Sequence, residues 1–176
     1  MRLTIRQILV FVVVLSVVLA FHANRLAKST KQKQARLELN RGANVACFRT
    51  SDSSDPDSYF YAPETNRGIR KWLTHFFGED YVSDTIFVSL LDGRTSREQF
   101  ELVKQLRGLR VIFVDESDVE LAEWAHQFPK TVILFDWETM VIPNNLHESH
   151  IRFWKTNYAE HEGGYDLVFN SDVANK

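Results

Sequence analysis

The sequence predicts an α/β fold with a transmembrane helix at its N-terminus, and three observations carry that expectation. First, three short runs rich in β-branched and aromatic residues, TIFVSLL at 85–91, RVIFV at 110–114 and TVILF at 131–135, have the composition of buried strands. Second, helical patterns of about a dozen residues separate them, the spacing of parallel strands joined by right-handed crossovers. Third, residues 8–21 are apolar except for Ser16. Parallel strands with helices mainly on one face, behind a membrane segment, are therefore expected.

At 176 residues the chain has room for one domain plus a leader. Its 44% hydrophobic and 12% aromatic content supports a packed core without covalent staples. The single cysteine, Cys47, excludes an internal disulfide and a cysteine-based zinc site, and reads as a small strand side chain. Net charge is −2, but residues 1–41 carry eight Lys or Arg against one acid, a net +7, and the remainder thirteen against twenty-two, a net −9. An acidic folded part argues against nucleic acid as a partner, because phosphate contact needs a positive face.

The apolar run at 8–21 would span about 21 Å as a helix, less than the roughly 30 Å hydrocarbon core. Leu3 and Ile5 extend it if Arg6 snorkels to the interface. A cleaved leader is the alternative, with Val18-Leu-Ala20 as its small-residue cleavage site. Arg25, Lys28, Lys31, Lys33 and Arg36 follow closely, which hinders translocation and favours an uncleaved single-pass anchor. These five cations are the expected contacts to anionic lipid headgroups. More basic charge follows the span than precedes it, so the positive-inside rule favours a cytoplasmic C-terminal part, without settling the side of the membrane. Residues 25–41 read as a basic juxtamembrane stalk with a thin apolar face of Leu26, Leu37 and Leu39, stopped by Gly42.

Strands are expected at 43–48 and 58–62, flanking the turn-rich SDSSDPDS at 51–58. Asp52, Asp55 and Asp57 in that run lack the Gly and distal Glu of an EF-hand loop and read as a solvated turn. Residues 64–77 form an amphipathic pattern, with Ile69, Trp72, Leu73 and Phe76 on one face and Gly78 as the stop. Aromatics at that spacing are expected to pack in the core.

The repeating part runs from 85 to 136. Its first helix starts at two overlapping capping boxes, Thr95 with Glu98 and Ser96 with Gln99, continues through Phe100, Leu102, Val103 and Leu106, and ends at Gly108. Its second starts at Ser117 with Glu120, continues through Leu121, Trp124, Ala125 and Phe128, and ends at Pro129. Thr95 to Ser117 and Leu106 to Phe128 are both 22 positions apart, which marks an internal repeat.

Trp72-Leu73, the Phe77-Gly-Glu-Asp-Tyr81 turn and LRGLRVIFV at 106–114, in that order behind an N-terminal apolar segment, resemble bacterial membrane-anchored leucine-rich-repeat proteins. The resemblance covers about residues 1–136. Val, Ile or Phe stand at many of the family's Leu positions, and the Asn or Cys of the repeat turn is absent. It implies a non-enzymatic protein-interaction or scaffolding role, with a membrane and another protein as partners and no cofactor. On this basis residues 1–23 form the anchor, 24–42 a basic juxtamembrane helix, 43–84 an N-terminal cap, 85–136 the βα repeats, and 137–176 a C-terminal cap and tail. Its contact surface would be the open side of the sheet, where Phe87, Ser89, Arg110, Ile112 and Thr131 alternate.

A second class of function competes. Asp92, Asp115 and Asp136 each follow a strand, where parallel α/β folds bind ligands. Three convergent carboxylates would hold Mg²⁺ for phosphoryl chemistry in a small metal-dependent hydrolase. ILFDWET at 133–139 also resembles the first motif of haloacid-dehalogenase-type phosphatases, with Asp136 as nucleophile and Glu138 as acid/base partner. The structural alternative is that these carboxylates end strands and turn the chain, and it is favoured. His147 and His150 stand at i, i+3 with His161 beyond, too closely spaced for the zinc-protease pattern. No catalytic, metal or cofactor site is therefore expected. In the tail, Leu146, Ile151, Phe153, Trp154 and Tyr158 form a helix covering the last strand, 165–169 forms a short final strand, and 171–176 is expected to fray.

Overall fold

The computed structural model describes residues 5–41, 45–49, 67–160 and 164–174. The strand expected at 58–62 and the acidic turn at 51–58 lie outside those residues. A long helix, α1 (Ile5–Leu39), precedes β1 (Val45–Arg49), α2 (Arg67–Phe77) and the single turn α3 (Glu79–Val82). The centre of the chain alternates β2 (Thr85–Thr95), α4 (Arg97–Val103), β3 (Val111–Ser117), α5 (Leu121–Gln127) and β4 (Val132–Phe135). After β5 (Thr139–Ile142), α6 (Glu148–Trp154) runs into a π turn, Lys155–Ala159. Then β6 (Asp166–Phe169) leads directly into α7 (Asn170–Ala174).

The strands form one sheet in chain order, β1-β2-β3-β4-β5-β6. The pairs β2–β3, β3–β4 and β5–β6 are parallel, and β1–β2 and β4–β5 antiparallel. The three strands expected from composition are therefore parallel neighbours. Phe87 pairs with Val111 and Val111 with Val132, steps of 24 and 21 positions. Cys47 lies on β1, as expected.

Because successive side chains on a strand point to opposite faces, the sheet feeds two cores. On one face Val88, Leu90, Ile112, Val114, Ile133 and Val141 meet α4 and α5 through Phe100, Val103, Trp124, Ala125 and Phe128. On the other, Val111, Val132, Leu134, Met140 and Ile142 meet Trp154 of α6, with Phe87, Phe113 and Ile151 packed alongside. The reversal at the β4–β5 hairpin explains why α6 changes sides. β5 and β6 run opposite to β2–β4 but continue the sheet in the same lateral direction. A right-handed crossover between them must then pass over the opposite face. Helices thus cover both faces, where the sequence led us to expect them mainly on one. Among the described residues both sides of the sheet are covered, and of the residues read from sequence as an open contact surface Ser89, Ile112 and Thr131 are buried, Ile112 in the first core beneath α4 and α5.

Local signals set most boundaries. Of the two overlapping capping boxes the second is used: Ser96 accepts from the Gln99 N–H and the Gln99 side chain accepts from the Ser96 N–H. The box expected at Ser117 does not form, because Ser117 ends β3, and α5 starts beyond Glu120. The Ser117 hydroxyl instead accepts from the Val119 N–H and from the Trp124 indole. Gly78 caps α2 with φ +79, its N–H donating to Thr74. Gly108 does not end α4, which stops at Val103 with Lys104 as its cap. It has φ +71, and a Cβ there would lie 2.5 Å from the Asp84 Cβ. The segment 171–174, expected to fray, belongs to α7: Val173 packs on the first core and the Asn170 amide donates to the Ala125 carbonyl.

Candidate functional site

The arrangement with the most specific polar geometry is the junction between α1 and the α/β domain. From Ile5 to Phe21 almost every large apolar side chain of α1 is exposed, and the helix is long and apolar enough to cross a membrane. From Ser29 onward one face changes character. Ser29, Gln32, Ala35 and Leu39 are buried, at the three- and four-residue steps that align side chains along a helix. Ala35 and Leu39 enter the first core. Leu26 and Leu37, read from sequence as part of the apolar face, are exposed.

Gln32 is the fixed point of this junction. Fully buried, it donates from Nε2 to the Ser83 carbonyl at 3.1 Å. Its Oε1 accepts from the Arg107 backbone N–H at 3.2 Å and from Arg107 Nε at 2.9 Å. The amide orientation is dictated by its surroundings: one side offers a carbonyl, the other two N–H groups. Arg107 also donates to the Asp80 carbonyl at 2.7 Å and pairs with Asp84 at 3.3 Å. Arg36 pairs with the nearly buried Asp80 carboxylate at 3.3 Å. Nearer the apolar segment, Arg25 Nε donates to the Tyr81 carbonyl at 3.0 Å, and its guanidinium lies 5.1 Å from the Tyr81 ring centre. His22 Nδ1 bonds the Tyr81 hydroxyl, and its ring stacks on Tyr81 and on Phe77, the last residue of α2. Side chains at these positions bond one another and the backbone of the 80–84 segment, which makes the cluster a rigid joint.

The five cations expected at lipid divide accordingly. Lys28, Lys31 and Lys33 are exposed, whereas Arg25 and Arg36 are half-buried against α3. Among the described residues the strand-end carboxylates do not build a centre. Asp115 is half-buried beyond the core of β3, while Asp136 and Glu138 are exposed in the hairpin between β4 and β5. Asp136 and Trp137 both have positive φ, 57° and 55°, and the Glu138 N–H donates to the Phe135 carbonyl, closing a tight turn. The phosphatase-like motif is thus folded back on itself as an antiparallel hairpin. Asp92 lies on β2, and its side chain falls outside the described residues. Among the described residues no group of three or more His, Cys, Asp or Glu is placed to hold a metal. His147 caps α6, accepting from the Ser149 N–H, and its ring centre is 6.1 Å from that of His150; His161 lies outside the described residues.

Beside Asp115, the Tyr165 phenol is held above its ordinary range, first by burial and then by Tyr158 and the Asp115 carboxylate. The helix α2 departs from the core role read from its sequence. Ile69, Trp72 and Phe76 are 60%, 57% and 62% exposed. Sequence reasoning also missed Gln32 and Arg107. The buried face of α1 was present as spacing, but two of its four residues are polar, so apolar periodicity could not display it. Comparison of the chain with protein-family models, curated proteins and solved structures finds no match.

Proposed function

We propose that this chain is a single-pass, membrane-tethered interaction module without catalysis, distantly leucine-rich-repeat-like in its β2–β4 stack. One observation carries the reading: a continuous helix whose first half is apolar and exposed enters the domain core with its second half. A spacer of flexible residues would let the domain roam, whereas this joint fixes its height and orientation above the bilayer. Lys28, Lys31 and Lys33, exposed just beyond the apolar part, suit anionic headgroups.

The partner is another protein, and Trp137 is its proposed contact. This side chain is 54% exposed at the tip of a tight hairpin, in a backbone conformation that bulky residues avoid. Exposed tryptophans are over-represented among residues that dominate protein interfaces. Strain retained at an exposed aromatic is the pattern of a binding residue.

The test is cross-linking of the intact, membrane-bound chain, compared with Trp137→Gly. Alkaline carbonate should leave both in the membrane fraction, and a discrete partner should cross-link to the wild type and be lost from the variant. Release by carbonate removes the tether. A cross-linking pattern identical in the two proteins removes Trp137 as the contact.

A further inference from the structure

We infer that α2 is an interfacial helix that lies in the headgroup region with Ile69, Trp72 and Phe76 inserted into lipid. The inference rests on the tethered reading and adds a second membrane contact to it. Three observations point there. First, the helix is amphipathic, yet its apolar face is turned away from both cores, and each of those three residues is more than half exposed. The Trp72 and Phe76 rings meet at a tilt with centres 4.9 Å apart, forming one contiguous patch.

Second, the place of α2 is fixed relative to the apolar segment. Phe77 at its C-terminal end stacks on His22, and His22 directly follows Phe21, the last residue of the apolar run. In a membrane-spanning α1, residue 22 stands at the boundary between hydrocarbon and headgroups, so that end of α2 stands there too.

Third, the composition matches that depth. Tryptophan is enriched at the interface because its ring is apolar and its N–H is polar. The sequence of the helix carries three cations, Arg67, Arg70 and Lys71, among its apolar residues. An amphipathic helix that combines aromatic and basic residues lies in the plane of an anionic membrane surface. In water the same patch would be a standing aggregation liability.

The full-length chain reconstituted into vesicles of anionic and zwitterionic lipid tests this. Part of the lipid carries bromine high on the acyl chains, which quenches nearby tryptophan fluorescence. Trp124 and Trp154 are fully buried in the two cores and contribute an unquenched background, and Trp137→Phe removes the remaining exposed indole. In that background, quenching should be present and Trp72→Phe should abolish most of it. Ile69→Ser with Phe76→Ser should weaken it while circular dichroism stays unchanged. If the chain floats with the vesicles and Trp72 is unquenched, the inference is wrong and the tether stands. If the chain does not float, both fail.

Discussion

Trp137 shows how a single residue can oppose the fold it sits in. A tight hairpin turn with two left-handed residues favours Asn-Gly or Asp-Gly, and here Asp136 fits while Trp137 does not. Left-handed backbone costs an ordinary residue about 1–2 kcal/mol. The double substitution Asp136→Asn with Trp137→Gly, which installs the favoured pair, should therefore raise unfolding free energy by about 1 kcal/mol in urea. No gain would mean that the indole packs usefully on the hairpin. Gly108 is the converse case. Its positive φ and the 2.5 Å approach to Asp84 leave no room for a methyl group, so Gly108→Ala should lower stability by about 2 kcal/mol. Tyr165 makes a pH prediction. Its raised folded-state pKa means that the phenol is neutral in both states below about 10, where it has no effect. Above that, the unfolded chain ionises first, and stability falls as pH rises toward the folded value. Tyr165→Phe should make the alkaline decline in melting temperature shallower. At this scale the sequence was least informative: Asp136 was read as an acid that ends a strand and turns the chain, but a hairpin turn without glycine carries no signature of its type, so the left-handed backbone at Trp137 was not legible.

Whole elements were more legible where a period and its partner coincide. β2, β3 and β4 were read from β-branched runs because both faces of each are buried, leaving continuous apolar strings. α4 announced itself through a capping box, and α6 through the aromatic cluster that covers the second face. β5 was missed because four residues, TMVI, follow a turn with no glycine. For α2 the amphipathic period was read correctly, but a period states only that one face avoids water, not whether protein or lipid covers it. The docked half of α1 is the opposite failure, a buried face that looks polar. Gln32→Ala would remove the amide that bonds the buried Ser83 carbonyl and the part-buried Arg107 N–H. It should cost about 2 kcal/mol in thermal or urea unfolding. An unaffected stability would show that water replaces the amide, and that the joint is softer than its hydrogen bonds suggest.

For the molecule as a whole, the decisive question is where the folded unit begins. The sequence suggests Gly42, after the basic stretch, because charge and hydropathy both change there. The structure moves the boundary back toward His22, since Ala35 and Leu39 belong to the first core and Gln32 and Arg36 hold the 80–84 segment. Losing a buried leucine costs about 2–5 kcal/mol, and orphaning buried hydrogen-bond groups adds about 1–3. Against a total stability of about 5–15 kcal/mol that is a large fraction. A chain beginning at His22 keeps every one of these contacts and removes only the exposed apolar segment. It should therefore be well folded, with a single cooperative urea transition close to that of the intact chain in detergent. A chain beginning at Gly42 should melt at much lower denaturant, or expose its core to a hydrophobic dye without any denaturant. Equal midpoints for the two would mean that the helix merely rests on the domain. The His22 chain also separates height from affinity. Held at a membrane through an unrelated anchor and a flexible linker, the His22 chain would keep its fold but lose the orientation proposed for it. On the proposed function, that chimera should cross-link the proposed protein partner less efficiently than the native chain at equal surface density.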